Sequence, residues 1–97
     1  MERYREMSTK EKTQKKVSIL ENVSKQKEIV LYNDDVNTFD HVINTLIAAC
    51  EHTPEQAEQC AIITHYNGKC VVKTGDYSEL EARCSLILDA GLSAEIV

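Results

Sequence analysis

The apolar positions of the chain switch between two periods, and each switch marks a change of secondary structure. Residues 29–32 form a short apolar run rich in β-branched and aromatic side chains, which is typical of a buried strand. Between residues 42 and 50, apolar residues recur every three or four positions, which predicts an amphipathic helix over about residues 38–51. Asn37, three residues before Asp40, predicts the N-terminal cap of this helix.

The second helix has strong sequence signals at both ends. Residues 53–56 read Thr-Pro-Glu-Gln, a capping box with proline at the first helical position, so we expect this helix to begin at Pro54. Asn67 and Gly68 adopt left-handed conformations readily and therefore end it. The apolar residues 70–72 beyond them predict a strand.

A third helix and a last strand complete the predicted order. Asp76 with Glu79 three residues later predicts the start of the helix, and Gly91 ends it. Residues 93–97 alternate as an edge strand does. The order β-α-α-β-α-β in a chain of 97 residues predicts one α+β domain, in which a small three-stranded sheet packs against three helices on one face.

Charge divides the chain near Lys27. Residues 1–27 hold eight Lys or Arg and four Glu, whereas residues 28–97 hold three Lys or Arg and twelve Asp or Glu. The first segment has too few apolar side chains to offset the entropy cost of ordering it, so we expect a disordered arm over 1–27 and a folded domain over 28–97. The acidic domain argues against nucleic acid as a ligand and favours a cationic partner.

The cysteines and the hydropathy argue against several other classes of protein. Cys50, Cys60, Cys70 and Cys84 have no C-x-x-C spacing, so we expect reduced thiols packed as small hydrophobes and no metal site. No segment resembles a signal peptide or reaches the roughly 18 apolar residues that a membrane span needs. We expect a cytoplasmic monomer that works without a membrane, a metal or a cofactor.

Polar residues follow the first predicted strand directly. Residues 33–35 read Asn-Asp-Asp, and two adjacent carboxylates repel each other, so this corner does not serve core stability. Asn37 and His65, near the ends of the first two helices, could complete an acidic rim. The alternatives are that the carboxylates cap the first helix and that His65 is a half-buried structural histidine.

An apolar slot is expected beside this rim, because three of its residues share one helical side. A slot with an acidic rim complements a ligand that carries an ammonium group and a hydrophobic side chain, such as the first residue of a peptide. A charge-assisted hydrogen bond and a buried Leu-sized group each contribute about 1.5–3 kcal/mol, which allows micromolar affinity. The alternative is that these apolar residues belong to the hydrophobic core and bind no ligand. The residues of the slot are Phe39, Val42, Leu46 and Ile62.

Two segments together resemble the ClpS adaptor family of the bacterial N-degron pathway. They are Ile-Val-Leu-Tyr-Asn-Asp-Asp at residues 29–35 and Thr-His-Tyr-Asn-Gly-Lys at residues 64–69. The resemblance covers about residues 28–97. It implies a protein that binds the α-amino group and first side chain of proteins beginning with Leu, Phe, Tyr or Trp and delivers them to a Clp-type AAA+ unfoldase.

The resemblance also implies roles for individual residues. The α-amino group would lie among Asn33, Asp34, Asp35 and His65. The side-chain pocket would be lined or flanked by Asn37, Phe39, Val42, Leu46, Ile62, Thr64 and Leu92.

The chain departs from the family pattern at the gate of the pocket and on the third helix. The family usually opens its first helix with Thr-Pro-Met, whereas residues 37–39 read Asn-Thr-Phe, so a rigid aromatic side chain replaces a flexible thioether. The family places a Glu and a basic residue of the third helix against the N-terminal domain of the unfoldase. Glu79 and Arg83 are the nearest equivalents here.

Two other functions remain open. A small metal-dependent enzyme would use Asp34 or Asp35 with His65 as a metal or acid-base site, although no Ser or Cys stands in a recognisable nucleophile motif beside His65. An interaction domain similar to the C-terminal fold of ribosomal stalk proteins would recruit a partner without reading amino termini.

Overall fold

The computed structural model describes residues 26–97, which form three strands and three helices. The predicted order β-α-α-β-α-β and the α+β class are confirmed. In chain order, the elements are β1 (Gln26–Tyr32), α1 (Phe39–Cys50), α2 (Pro54–Asn67), β2 (Lys69–Asp76), α3 (Tyr77–Asp89) and β3 (Ser93–Ile96).

The sheet is antiparallel, and its strand order β2-β1-β3 makes β1 the central strand. β1 pairs with β2 along its whole length and with β3 over residues 29–32, with a register shift against β2 between Ile29 and Val30. Tyr32, the last residue of β1, lies opposite the first residue of each neighbour, Lys69 and Ser93. The chain therefore leaves β1 at the end of the sheet where α2 turns into β2 and α3 turns into β3.

The core lies between the sheet and the helices. Ile29 and Leu31 of β1 and Val72 of β2 are buried against side chains of all three helices. Burial of each Leu- or Ile-sized side chain contributes about 1.5–3 kcal/mol, so truncation of one of them to Ala is expected to cost about 2–5 kcal/mol. Their partners in the buried cluster include Leu46, Ala49, Cys50, Ala57, Leu80, Cys84, Ile87 and Leu92.

Two strands are longer than the sequence predicted. β1 begins at Gln26 instead of residue 29, and β2 extends to Asp76 instead of residue 72. The two extensions pair with each other through their backbones, so polar side chains do not prevent them. The strand thus takes in the last two residues of the predicted arm, and the prediction for residues 1–25 lies outside the described residues.

The caps of α1 and α2 show one wrong and one confirmed prediction. The N-cap of α1 is Thr38 and not Asn37: the Thr38 hydroxyl accepts a hydrogen bond from the backbone N–H of His41 at 3.1 Å. The predicted cap of α2 is confirmed, because the Thr53 hydroxyl accepts from the N–H of Gln56 at 3.1 Å. Gly68 ends α2 with φ +90°, a left-handed conformation that suits glycine.

Candidate functional site

A cavity of about 240 Å³ opens at the end of the sheet where β1 stops. Three connections of the chain meet there and are tied together by hydrogen bonds. The N–H of Asn33 donates to the Gly68 carbonyl at 2.9 Å, and the Asn37 side chain donates to the Gly91 carbonyl at 3.0 Å. The cavity is lined by Leu31, Tyr32, Asn33, Asp34, Asp35, Asn37, Phe39, Val42, Ala61, Thr64, His65 and Leu92.

Asp34 shapes the turn between β1 and α1. Its Oδ1 accepts hydrogen bonds from the backbone N–H groups of Val36 and Asn37 at 3.0 and 2.9 Å, and its Oδ2 accepts from Asn37 Nδ2 at 2.8 Å. The backbone hydrogen bond from Asn37 is the largest cause that lowers the pKa of Asp34, so this carboxyl stays ionised at neutral pH. The alternative that the carboxylates cap the first helix is thus partly correct, because Asp34 organises the turn that precedes α1.

Two side chains at the start of α1 hold the connection between α3 and β3. Asn37 Nδ2 uses its hydrogens for Asp34 and for the Gly91 carbonyl, which is why Asn37 does not cap α1. His41 Nε2 lies 2.8 Å from the Ala90 carbonyl, to which it donates. These bonds hold in place the two residues that precede Leu92, which is buried and lines the cavity.

Asp35 and Asn33 differ from Asp34 in having unused polar groups. Within residues 26–97, no group donates a hydrogen bond to the Asp35 carboxylate, and none pairs with the Asn33 side-chain amide. Both residues are exposed at the mouth of the cavity. A cation with several N–H donors therefore finds acceptors here that the fold does not already use.

The aromatic side of the cavity mouth is built by α1 and α2. The ring of His65 packs against Phe39, with centroids 5.3 Å apart, and meets the edge of Tyr66 at 4.9 Å. Phe39 remains 42% exposed, so a ligand can reach its ring. The Thr64 hydroxyl donates to the Cys60 carbonyl at 2.7 Å, which satisfies it within the helix and leaves this wall largely apolar.

Leu46 and Ile62 are the predicted pocket residues that the structure does not bring to the cavity. Leu46 shares the helical side of Val42 but lies one turn, about 6 Å, further along the axis and is fully buried in the core. Ile62 is half-buried on α2 outside the lining. All other predicted amino-group and pocket residues line the cavity, namely Asn33, Asp34, Asp35, His65, Asn37, Phe39, Val42, Thr64 and Leu92.

The predicted pocket residues did not include three others that also line the cavity, Leu31, Tyr32 and Ala61. At about 100° per residue, Ala61 projects between Thr64 and His65 on the helical wheel, whereas Ile62 projects beyond His65. Helical geometry could therefore have identified Ala61. Tyr32 donates a hydrogen bond to Glu95 of β3, which raises the pKa of Tyr32 and links the central strand to its neighbour.

The structure places Glu79 and Arg83, the predicted unfoldase contact, one turn apart on α3. Arg83 works within the fold: Nη1 donates to the Ala49 carbonyl at 3.0 Å, and Nη2 lies 2.7 Å from Glu51 and 3.6 Å from Glu79. Its side chain is only 20% exposed, whereas that of Glu79 is 51% exposed. Glu79 is therefore the more accessible member of the pair, and Arg83 stabilises the C-terminal end of α1.

Metal-ligand clusters and membrane-spanning helices are both absent from residues 26–97. Among residues 26–97, no group of three or more His, Cys, Asp or Glu side chains could hold a metal ion. In the same range, none of the helices is both long enough and apolar enough to cross a membrane.

Comparison with known proteins gives one consistent result. The family model described as ATP-dependent Clp protease adaptor protein ClpS matches residues 23–95. A ClpS adapter protein from Thermosynechococcus vestitus is 31% identical over 67 residues, which is 68% of this chain and 71% of the relative. The solved structure of Agrobacterium tumefaciens ClpS2 bound to L-phenylalaninamide is similar in fold, with a TM-score of 0.64 and 20% identity over 75% of this chain and 95% of that chain.

Proposed function

The chain belongs to the ClpS family of Clp protease adaptors, and we propose that it binds proteins through a free, bulky first residue and delivers them to a Clp-type AAA+ unfoldase. Leu, Phe, Tyr and Trp are the first residues in question. The observation that carries this proposal is the cavity itself, in which a carboxylate and an amide that no residue of 26–97 pairs with stand at the mouth of an apolar recess. The first residue of a protein is complementary to such a site, because it carries a positively charged ammonium group and, where it is bulky and hydrophobic, an apolar side chain.

The α-amino group is recognised at the mouth of the cavity. The Asp35 carboxylate and the Asn33 amide oxygen accept hydrogen bonds from the ammonium, and His65 of α2 also lines the cavity. Asp34 contributes its negative charge, while its hydrogen bonds to Val36 and Asn37 keep the turn in place. Each charge-assisted bond contributes about 1.5–3 kcal/mol.

The side chain of the first residue occupies the apolar recess. A volume of about 240 Å³ is below the roughly 300–1,000 Å³ of drug-sized sites, so it suits one side chain better than a longer segment. The ClpS2 relative was solved with L-phenylalaninamide, which carries a free amino group and an aromatic side chain. The recess here has Leu31, Val42, Ala61 and Leu92 in its walls and Phe39 at its entrance.

Delivery requires a second contact, which we assign to α3. Glu79 offers a half-exposed carboxylate to the N-terminal domain of the unfoldase, and Arg83 holds the neighbouring end of α1 in place. The basic segment of residues 1–25, which precedes β1, is assigned to substrate transfer. The protein in this proposal is a non-enzymatic cytoplasmic monomer that binds neither nucleic acid nor membrane.

Fluorescence anisotropy with labelled peptides tests recognition directly. A peptide with a free amino-terminal Phe should bind with micromolar affinity, since the favourable contacts leave roughly −8 kcal/mol after association costs. Its N-acetylated twin should not bind, because acetylation removes the charge and two donors. Equal binding of the two peptides would contradict the proposal and favour an interaction domain that does not read amino termini.

A further inference from the structure

Two of the four cysteines lie on α2 and β2, which pack against each other. Cys60 is on α2 and Cys70 is the second residue of β2, and both are half-buried against the core. Cys70 pairs across the sheet with Leu31, and direct cross-strand partners share a face, so Cys70 lies on the helix-covered side. On α2, Cys60 borders the buried residues Ala57 and Thr64 at spacings of three and four. Both side chains pack against the same buried cluster where α2 lies against β2, and the Cys70 thiol is among the groups that raise the pKa of Cys60.

We propose that Cys60 and Cys70 form a reversible disulfide when the protein meets a hydroperoxide. The Cys70 thiol is oxidised first to a sulfenic acid, and the hydroperoxide is reduced to water or an alcohol. The Cys60 thiol then attacks the Cys70 sulfur, the S–O bond breaks, and water leaves with the thiol proton. A dithiol reductant reverses the reaction by thiol–disulfide exchange.

Differences among the four thiols make this pair selective. Cys70 is half-buried near the start of β2, where its thiol donates to the Val71 carbonyl at 3.4 Å. Burial, and after it the neighbouring Cys70 thiol, raise the pKa of Cys60 to about 12, so Cys60 is the later of the two to react. Cys50 and Cys84 are buried in the core, and burial raises the pKa of both, that of Cys50 to about 11.

The disulfide would act on the cavity, an effect that rests on the proposed function. Cys60 precedes Ala61, and its carbonyl accepts the hydrogen bond of Thr64; both of these residues line the cavity. Cys70 pairs across the sheet with Leu31, which also lines the cavity. A bond between the sulfurs pulls α2 toward the sheet, and we expect it to weaken peptide binding by roughly fivefold or more, the lower end of usual coupling between sites.

Peptide mapping by mass spectrometry after peroxide treatment of the full chain tests the disulfide itself. A linked peptide containing Cys60 and Cys70 should appear, should disappear with dithiothreitol, and should persist in Cys50→Ser and Cys84→Ser variants. In Cys60→Ser, a dimedone adduct should accumulate at Cys70, because the resolving thiol is gone. Absence of the 60–70 link, or equal linkage of Cys50 or Cys84, would overturn the proposal.

Peptide titration of reduced and oxidised protein tests the effect on the cavity. Wild-type protein should lose affinity on oxidation and regain it on reduction, whereas Cys70→Ser should bind equally in both conditions. Unchanged affinity in a protein that carries the 60–70 link would overturn the regulatory part. If the reduced protein binds no peptide at all, the proposed function is wrong. Peptide mapping then still shows whether the disulfide forms.

Discussion

Two corners of the domain, at opposite ends of α1, hold acidic groups beside a basic or aromatic partner, and they use their charges differently. At the Arg83 corner, which comprises Glu51, Glu79 and Arg83, the guanidinium pairs with both carboxylates and also donates to a backbone carbonyl. At the Asp35 corner, which comprises Asn33, Asp34, Asp35 and His65, only Asp34 has hydrogen bonds to its side chain from the described residues.

The charges of the Arg83 corner support the fold, whereas the carboxylate of the Asp35 corner is available to a ligand. Arg83 lowers the pKa of Glu51, and Glu51 in turn raises that of Arg83, so the charges at this corner stabilise each other. Asp35 stands next to Asp34 and forms no ion pair with a described residue, so its carboxylate is available to a cationic ligand. Substitutions at the two corners should therefore affect different properties of the protein.

The largest effect is expected from Asp35→Ala at the Asp35 corner. Once a peptide covers the carboxylate, its removal should weaken binding by about 2–5 kcal/mol, the usual loss when one partner of a buried charge pair is truncated. Stability should change little, because no described residue hydrogen-bonds to this side chain. Anisotropy titration measures the affinity, and Asp40→Asn, an exposed acid of α1 outside the cavity, is the matched control. An equal loss in both variants would show a general charge effect instead of a specific contact.

Arg83→Met should have the reverse pattern at the Arg83 corner. The variant retains an apolar stem but loses the charged hydrogen bond to the Ala49 carbonyl, which contributes about 1.5–3 kcal/mol. The midpoint of urea unfolding should fall, while affinity for a Phe-peptide should stay at the wild-type value. A loss of peptide affinity in folded Arg83→Met would mean that the two corners are coupled and would remove the distinction drawn here.

Phe39→Met should have a smaller effect, confined to the choice of first residue. The Phe39 ring at the entrance can pack on an aromatic ligand, so wild-type protein should favour Phe or Tyr over Leu more than the variant does, by about 0.5–1.5 kcal/mol. Titration of Phe- and Leu-peptides against both proteins gives the difference. An unchanged ranking would exclude a role for the ring in selection.

Acid titration should separate Asp34 from its neighbour by a still smaller effect. Because its folded-state pKa lies below the ordinary value of 3.8, Asp34 stabilises the fold above that pH, and the contribution is lost as the pH falls through the lower value. Asp34→Asn should therefore show a weaker dependence of unfolding free energy on pH between about pH 5 and pH 2 than wild type does. The effect is small, because Asp34 is largely solvated. Equal slopes for wild type, Asp34→Asn and the Asp40→Asn control would contradict the assignment.

Local chemistry explains why the element order was predictable and why some details were not. Thr53, Pro54 and Gly68 act on their own neighbours in sequence, so both ends of α2 could be predicted. Asn37 and Thr38 are both competent caps, and the choice depends on the Gly91 carbonyl, 54 residues away, which takes the Asn37 side chain. The hydrogen-bond partners of Arg83, Ala49 and Glu51, are likewise more than 30 residues distant. Residues 73–76 of β2 are stabilised by backbone pairing, which leaves no apolar pattern to detect.

Deletion of residues 1–25 is expected to leave both corners unchanged. The cut lies just before β1, which begins at Gln26, so the sheet keeps all its pairs and the cavity keeps all its lining residues. Peptide affinity and unfolding free energy should therefore equal those of the full chain. Delivery should differ, because a flexible arm of about 25 residues, which the composition predicts, would span roughly 5–6 Å times the square root of its length and could be gripped by an unfoldase.

Degradation of a reporter that begins with Leu measures delivery separately from binding. The truncated protein should bind both peptide and unfoldase and yet fail to accelerate degradation. A longer deletion through residue 28 serves as the contrast, since it removes three residues of β1 and should lower stability as well. If the truncation at residue 25 supports degradation at the full-length rate, the basic segment has no part in transfer, and the contact on α3 together with the cavity must be sufficient for delivery.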